Sequence, residues 1–207
     1  MSTLLKIDVS PRGDHSISRQ LGREFAEQWQ KSHAGGQIVV RDLAKTQIPF
    51  VDLPWIAGAY TAPDQHTAEH KAALKISDEL IGELLSADEI LISTPMYNFN
   101  IPAVLKAWID HIVRAGLTFS VGPDGYKGLA GGRKVTVIIA SGGKYPAGTP
   151  YEAYNAEVPY LRLILGFIGL TDVTFVDGGG TNDVVQGKIT AQDFVAALKG
   201  TVDAAAK

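Results

Sequence analysis

The chain has 207 residues, 45% of them apolar, with a formal net charge of −3 at neutral pH, which suits one domain over residues 1–207 with a sizeable core. It has no cysteine, which excludes disulfides, thiolate metal ligands and a CxxC pair, so any redox chemistry must come from a bound cofactor. Mixed charge offers no basic face to nucleic acid, no run of about eighteen apolar residues reads as a membrane span, and Met1 to Val9 lack a basic start; together these predict a soluble cytoplasmic protein with small-molecule partners.

In chain order, Leu4 to Val9 reads as a strand, and Ile17, Leu21, Phe25 and Trp29 recur every fourth residue on a helix running to about Ser32. Ile38 to Val40 is a second strand, and after the long Pro-bearing connection Leu43 to Gln65 a helix spans Thr67 to Leu85. A third strand, Ile90 to Ile92, precedes a helix over Ala103 to Ala115; Val121 to Gly132 is a second long connection, bearing glycine. Val135 to Ile139 is apolar almost throughout, as a central strand buried on both faces would be. A helix over Val158 to Phe167, a strand over Val173 to Val176 and a helix over Ala191 to Ala205 complete the pattern. This alternation predicts an α/β fold, a doubly wound five-stranded parallel sheet with helices on both faces.

Three segments carry chemistry. Ser10-Pro11-Arg12-Gly13-Asp14-His15-Ser16-Ile17-Ser18 joins the first strand to the first helix. Free N–H groups and the dipole of a helix start, with serine hydroxyls, suit a phosphate monoester, while Ser16 or Ser18 would serve equally as a plain N-cap. Thr94-Pro95-Met96-Tyr97-Asn98-Phe99-Asn100-Ile101-Pro102 leaves the third strand at the sheet edge where α/β proteins bind ligands. The backbone of Met96 to Phe99 suits the polar edge of a flavin ring, although its aromatics would also serve to close a core. Ala140-Ser141-Gly142-Gly143 follows the fourth strand, where adjacent glycines admit close approach of a planar ligand or mark an ordinary turn, as Gly178 to Gly180 would.

Other patterns carry less. His66-Thr67-Ala68-Glu69-His70 matches H-x-x-E-H, but a zinc site needs a third ligand and a cleft, and this segment opens an ordinary surface helix. Gly187-Lys188 lacks the leading glycine and following hydroxyl of a P-loop, and Ser141 lacks the flanks of a nucleophile elbow. No metal site or catalytic side chain is assigned.

Ser10-Pro11 with Ser16-Ile17-Ser18, the Pro95-Met96-Tyr97-Asn98-Phe99-Asn100 stretch and Leu165-Gly166-Phe167-Ile168-Gly169-Leu170-Thr171-Asp172 resemble the FMN-dependent NADH-azoreductases, also called NADH:quinone oxidoreductases, over nearly the whole chain. The resemblance implies a flavodoxin-like fold, a homodimer with one FMN per subunit, and NADH or NADPH as donor; quinones, and azo compounds if the acceptor face is open enough, are the expected acceptors, and donor and acceptor using one apolar slot in turn predicts ping-pong order. It implies that Ser10, Ser16, Ile17 and Ser18 hold the phosphate, Met96, Tyr97, Asn98 and Phe99 the isoalloxazine, and Ala140, Ser141, Gly142 and Gly143 its neighbouring edge. Many relatives carry a histidine shortly after the Gly-Gly pair, where this chain has Lys144 and Tyr145, and often an Arg-Tyr pair where it has Ser120 and Val121; both departures fall in segments expected to line the substrate pocket. Two other functions suit the same fold, a flavodoxin-type electron carrier and an FMN reductase that releases its flavin. The first is disfavoured by the lack of a strongly acidic face.

Overall fold

The computed structural model describes residues 2–207. The first half runs β1 (Thr3–Asp8), α1 (Ile17–Ser32), β2 (Gln37–Asp42), α2 (Leu53–Tyr60), α3 (Ala68–Ser86), β3 (Glu89–Pro95) and α4 (Ala103–Ile112). The second runs β4 (Phe119–Gly122), β5 (Gly125–Gly128), β6 (Lys134–Ser141), α5 (Glu157–Phe167), β7 (Asp172–Gly179), α6 (Asn182–Val185) and α7 (Ala191–Ala205). Five strands form one parallel sheet in the order β2-β1-β3-β6-β7. Ile7 sits opposite Arg41 of β2 and Ile92 of β3, and Ile92 opposite Val137 of β6. The chain moves outward from β1 to β2 and then returns past β1 to β3. That reversal opens a crevice at the carboxyl ends of β1 and β3, where loops diverge to opposite faces.

Period-2 alternation divides the strand side chains between two cores. Leu4, Leu91 and Ile138 pack with Leu21, Phe25 and Trp29 of α1 and Val195 and Val202 of α7. Leu5, Ile7, Ile90, Ile92, Val135 and Val137 face the other way, among Leu80 and Leu84 of α3, Trp108 of α4 and Leu161 of α5. Helices therefore cover both faces, as the alternation of elements predicts.

The structure corrects several details. β6 is interior, paired with β3 and β7, but the middle strand is β3; continuous apolarity reports burial on two faces, which every interior strand shares. The connection Leu43 to Gln65 contains α2, started by Asp52, whose carboxylate accepts from Trp55 N–H at 2.9 Å. Val121 to Gly132 holds most of an antiparallel β4–β5 hairpin, with Val121 opposite Tyr126. α4 stops at Ile112 rather than Ala115 because the Arg114 carbonyl turns to accept from Leu117 and Thr118 N–H, and Gly116 adopts φ +79°. The hairpin lies hard against the end of α5: a Cβ on Gly128 would fall 2.2 Å from the Gly169 nitrogen, so only glycine fits. Phe119, Tyr126 and Phe167 complete that contact, with the Phe119 and Phe167 rings 4.8 Å apart. Among the described residues no helix is long and apolar enough to cross a membrane.

Candidate functional site

The loop after β1 is built from side-chain to backbone bonds. Ser10 Oγ accepts from Arg12 N–H at 3.3 Å, a short 3-10 turn covers Gly13–His15, and α1 then begins. Ser16 Oγ accepts from Arg19 N–H at 3.4 Å and lies 3.1 Å from Ser18 Oγ. Ser16 therefore is the N-cap, whereas Ser18 caps nothing although it is fully buried. The N–H groups of Ile17 and Ser18 have no acceptor among the described residues, which leaves the donors of the helix start free for an anion. The capping and anion-binding readings of this loop are thus compatible.

Behind the loop stands a charged network on the α1 face of the sheet. Arg19 Nε donates to the Ser10 carbonyl at 2.7 Å, and its two terminal nitrogens donate to the Asp42 carboxylate at 2.9 and 2.5 Å. The bond to Arg19 holds the Asp42 carboxyl below its ordinary range, and Asp42 in turn raises the Arg19 guanidinium. Lys6 Nζ meets Asp8 at 2.5 Å, and Ser93 Oγ donates to the same carboxylate at 2.7 Å.

The loop after β3 is a tight turn. Tyr97 N–H donates to the Asn100 carbonyl at 2.9 Å and Asn100 N–H to that of Tyr97 at 3.1 Å, which closes a two-residue hairpin around Asn98 and Phe99. Both central residues are left-handed, with φ of 50° and 69°. Such a turn favours Asn-Gly, so phenylalanine here stores strain that the surroundings must hold. Phe99 is held by Tyr154 at 5.1 Å and Tyr145 at 6.0 Å between ring centroids, and by Ala156 N–H, which donates to its carbonyl at 3.0 Å. The Asn98 and Phe99 N–H groups have no acceptor among the described residues.

Met96 N–H donates to the Ala140 carbonyl at 2.9 Å and ties this turn to the loop after β6. Ser141 does not face the cleft; its Oγ donates to the Gly143 carbonyl at 2.8 Å, and its own carbonyl accepts from Gly180 N–H, Thr181 N–H and Thr181 Oγ1. The Gly142 and Gly143 N–H groups are without acceptors among the described residues.

These loops enclose a cleft of ≈ 190 Å³ at the crevice between β1 and β3. Ser10, Ser16, Ile17 and Ser18 line one side; Met96, Tyr97, Ala140 and Gly142 line the other. Asn98, Phe99 and Gly143, each next in sequence to a lining residue or to its neighbour, are not part of that lining, and Ser141 opens instead onto an adjoining cavity of ≈ 170 Å³ shared with Met96 and Tyr145. The cleft also takes in Arg12, Pro95 and Thr181, which reading by motif missed. Arg12 was legible as the one cation inside the serine loop. Thr181 was not: only the parallel pairing of Ser141 with Gly179 brings it there.

One further group stands behind the turn. Glu157, the first residue of α5, is fully buried, and neither carboxylate oxygen has a hydrogen-bond partner among the described residues. Burial pushes its carboxyl up to about 8, with Thr94 a smaller opposing influence.

At the two departures from the family pattern, Lys144 packs over Gly180, where an added Cβ would fall 2.8 Å from Lys144 Cε, and Tyr145 stands edge-on to Phe99. Ser120 and Val121 lie in β4, with Val121 exposed. His66 Nε2 lies 2.9 Å from the Gly58 carbonyl and 3.0 Å from that of Thr61, where it closes the end of α2.

A strand order that reverses at β1 and β3, with hydroxyls and free N–H groups gathered at that crevice, defines a flavodoxin-like mononucleotide-binding protein. The family model described as "Flavodoxin-like fold" matches residues 2–201. The chain is 54% identical to an FMN-dependent NADH:quinone oxidoreductase of Trichormus variabilis over 183 residues, 88% of each chain. It is 50% identical over 207 residues to one of Jannaschia sp., covering 100% of both. An FMN-dependent NADH-azoreductase of Bacillus anthracis, solved in complex with FMN, superposes with a TM-score of 0.86 at 26% identity, covering 100% of this chain and 98% of that one. The chain belongs to the flavodoxin-like fold family and, within it, to the FMN-dependent NADH:quinone oxidoreductases and NADH-azoreductases.

Proposed function

We propose that this protein is an FMN-dependent oxidoreductase that takes electrons from NADH or NADPH and delivers them in pairs to quinones, and to azo compounds that fit the same slot, in ping-pong order. The observation that carries this reading is the convergence of the loops after β1, β3 and β6 on one cleft at the strand-order reversal. Its residues fit FMN. Three buried hydroxyls, of Ser10, Ser16 and Ser18, stand with the free N–H groups of Ile17 and Ser18 where a phosphate monoester would sit. The Asn98, Phe99, Gly142 and Gly143 N–H groups remain available to the polar edge of the ring.

When bound, FMN supplies the electron-transfer chemistry, which no side chain here needs to duplicate. The protein's part is to orient and to exclude water. Arg19 braces the Ser10 carbonyl, the turn at Asn98 and Phe99 sets the ring's edge, and Phe99 with Tyr145 and Tyr154 gives a planar acceptor an aromatic wall. Backbone N–H groups, and Lys144 beside Gly180, favour negative charge at the site.

The same reading treats the chain as one domain that works as a cytoplasmic homodimer. Exposed apolar side chains support self-association: Phe50, Leu53 and Tyr60 around α2, and Val121, Tyr126 and Leu163 near the hairpin. The test is direct. The purified protein should be yellow, bleach anaerobically with NADH and regain its colour with menadione; a colourless protein that refuses added FMN overturns the proposal.

A further inference from the structure

Glu157 is the one acidic side chain buried at the carboxyl edge of the sheet whose oxygens have no hydrogen-bond partner among the described residues, the nearby Thr94 hydroxyl being turned to the Pro95 carbonyl. It sits where α5 grips both ends of the turn that follows β3. At the near end is Thr94, the neighbour of Glu157, whose hydroxyl donates to the Pro95 carbonyl at 3.0 Å. At the far end Ala156, the residue before Glu157, donates its N–H to the Phe99 carbonyl. Asn155 caps the helix start, its Oδ1 accepting from Val158 N–H at 3.1 Å, and with the next residue, Ala156, bonded to Phe99, the placement of Glu157 and the strained conformation of Phe99 share the residues that open α5.

We propose that Glu157 is a positioning residue for the Met96 to Phe99 turn, holding it in cofactor-binding form only while its carboxyl carries a proton. The inference rests on placing the flavin ring against that turn. A neutral acid is tolerated in this enclosure, but an ionised one, with the Thr94 hydroxyl as its one nearby donor, is poorly compensated for its burial. Relief comes from letting the carboxyl reach water, which moves the first turn of α5 and releases the Ala156 bond to Phe99. FMN retention is therefore linked to the proton on Glu157.

Among the described residues no charged side chain shifts Glu157; burial raises it and the Thr94 hydroxyl opposes. Burial raises Tyr160, one turn further along α5, with Lys106 of α4 opposing and Asp110 of α4 adding to it. In the covering loop Tyr145 and Tyr154 are engaged with Phe99, and Lys144 lies over Gly180. Asp177 of β7, in the adjoining cavity, accepts from Gly179 N–H at 2.8 Å.

The experiment titrates apoprotein with FMN by flavin fluorescence from pH 6.5 to pH 9, for the wild type and Glu157→Gln. With ionisation near pH 8, wild-type affinity should fall about tenfold between pH 7 and pH 9 while the Gln variant stays flat, and comparing the two cancels the flavin's own titration. If Glu157→Gln fails to fold, carboxyl-labelled glutamate in the wild type provides the same test by NMR, since the midpoint of Glu157 should move upward when FMN binds. A parallel fall in both proteins, or a midpoint indifferent to FMN, overturns the proposal. So does wild-type FMN binding that is unchanged from pH 7 to pH 9, which would leave the cofactor assignment standing.

Discussion

The Arg19 guanidinium joins Ser10 to Asp42: it donates to the Ser10 carbonyl at 2.7 Å while two of its nitrogens grip the Asp42 carboxylate at the end of β2. A residue in the first turn of α1 thereby fixes the loop that precedes it, using the edge strand as anchor. Ser10, which lines the cleft, owes its placement to a side chain that does not itself reach it.

Replacing Arg19 with Met should therefore act on both fold and ligand. Asp42, and Asp8 at 3.7 Å, would lose their guanidinium partner, with an expected loss of about 3 kcal/mol of stability in urea unfolding. FMN affinity, followed by fluorescence, should weaken by about tenfold as Ser10 loses its brace. An unchanged affinity would show that the loop holds its form without Arg19.

Ser16 and Ser18 should separate. Ser16→Ala removes the cap on Arg19 N–H and should reduce stability by about 1 kcal/mol. Ser18→Ala removes no cap and should reduce stability less, yet both should weaken FMN binding. In the triple alanine variant that includes Ser10, FMN loss should far exceed the loss of fold, by calorimetry of the apoprotein beside FMN titration. Equal losses would leave only capping.

Phe99→Gly tests whether the strained turn is kept for its side chain. Glycine relieves roughly 1 kcal/mol at a left-handed position, which offsets part of the lost contacts with Tyr154 and Tyr145, each worth about 0.5–1.5 kcal/mol. Stability should therefore fall by no more than about 2 kcal/mol, while KM for menadione rises severalfold as the aromatic wall goes. A large stability loss with unchanged KM would make Phe99 a packing residue.

Asp42 and acid stability are linked with a definite sign. Its carboxyl is lower in the folded chain than the ordinary value of 3.8, chiefly through the bond to Arg19, so its contribution is full above that value and is lost as pH falls through the lower folded one. Asp42→Asn should reduce stability at pH 7 and flatten the decline below about pH 4, read from unfolding free energies across that range.

The legible part of this protein is the part written in short-range patterns. Four-residue spacing along Ile17, Leu21, Phe25 and Trp29 marks one helix face, and apolar runs such as Val135 to Ile139 mark strands, because burial imposes period and run length directly on neighbouring residues. The serine loop, the Met96 to Phe99 turn and the Ala140 to Gly143 loop follow strands in sequence, so topology alone sends them to one edge. The hairpin within Val121 to Gly132 and helix α2 were missed because their partners are remote: Gly128 meets Gly169, and Trp55 packs near His111.

By itself, the sequence determined a doubly wound sheet, the three loops at its carboxyl edge and the family to which they point. Only the tertiary structure decided that Ser16 caps while Ser18 does not, that Ser141 turns away, that Thr181 joins the cleft, and that Glu157 is buried behind the turn with no hydrogen-bond partner among the described residues. The physical reason is distance along the chain. Propensity and periodicity act between residues a few positions apart, whereas hydrogen-bond partners and desolvation are set by segments that meet only once the sheet has closed.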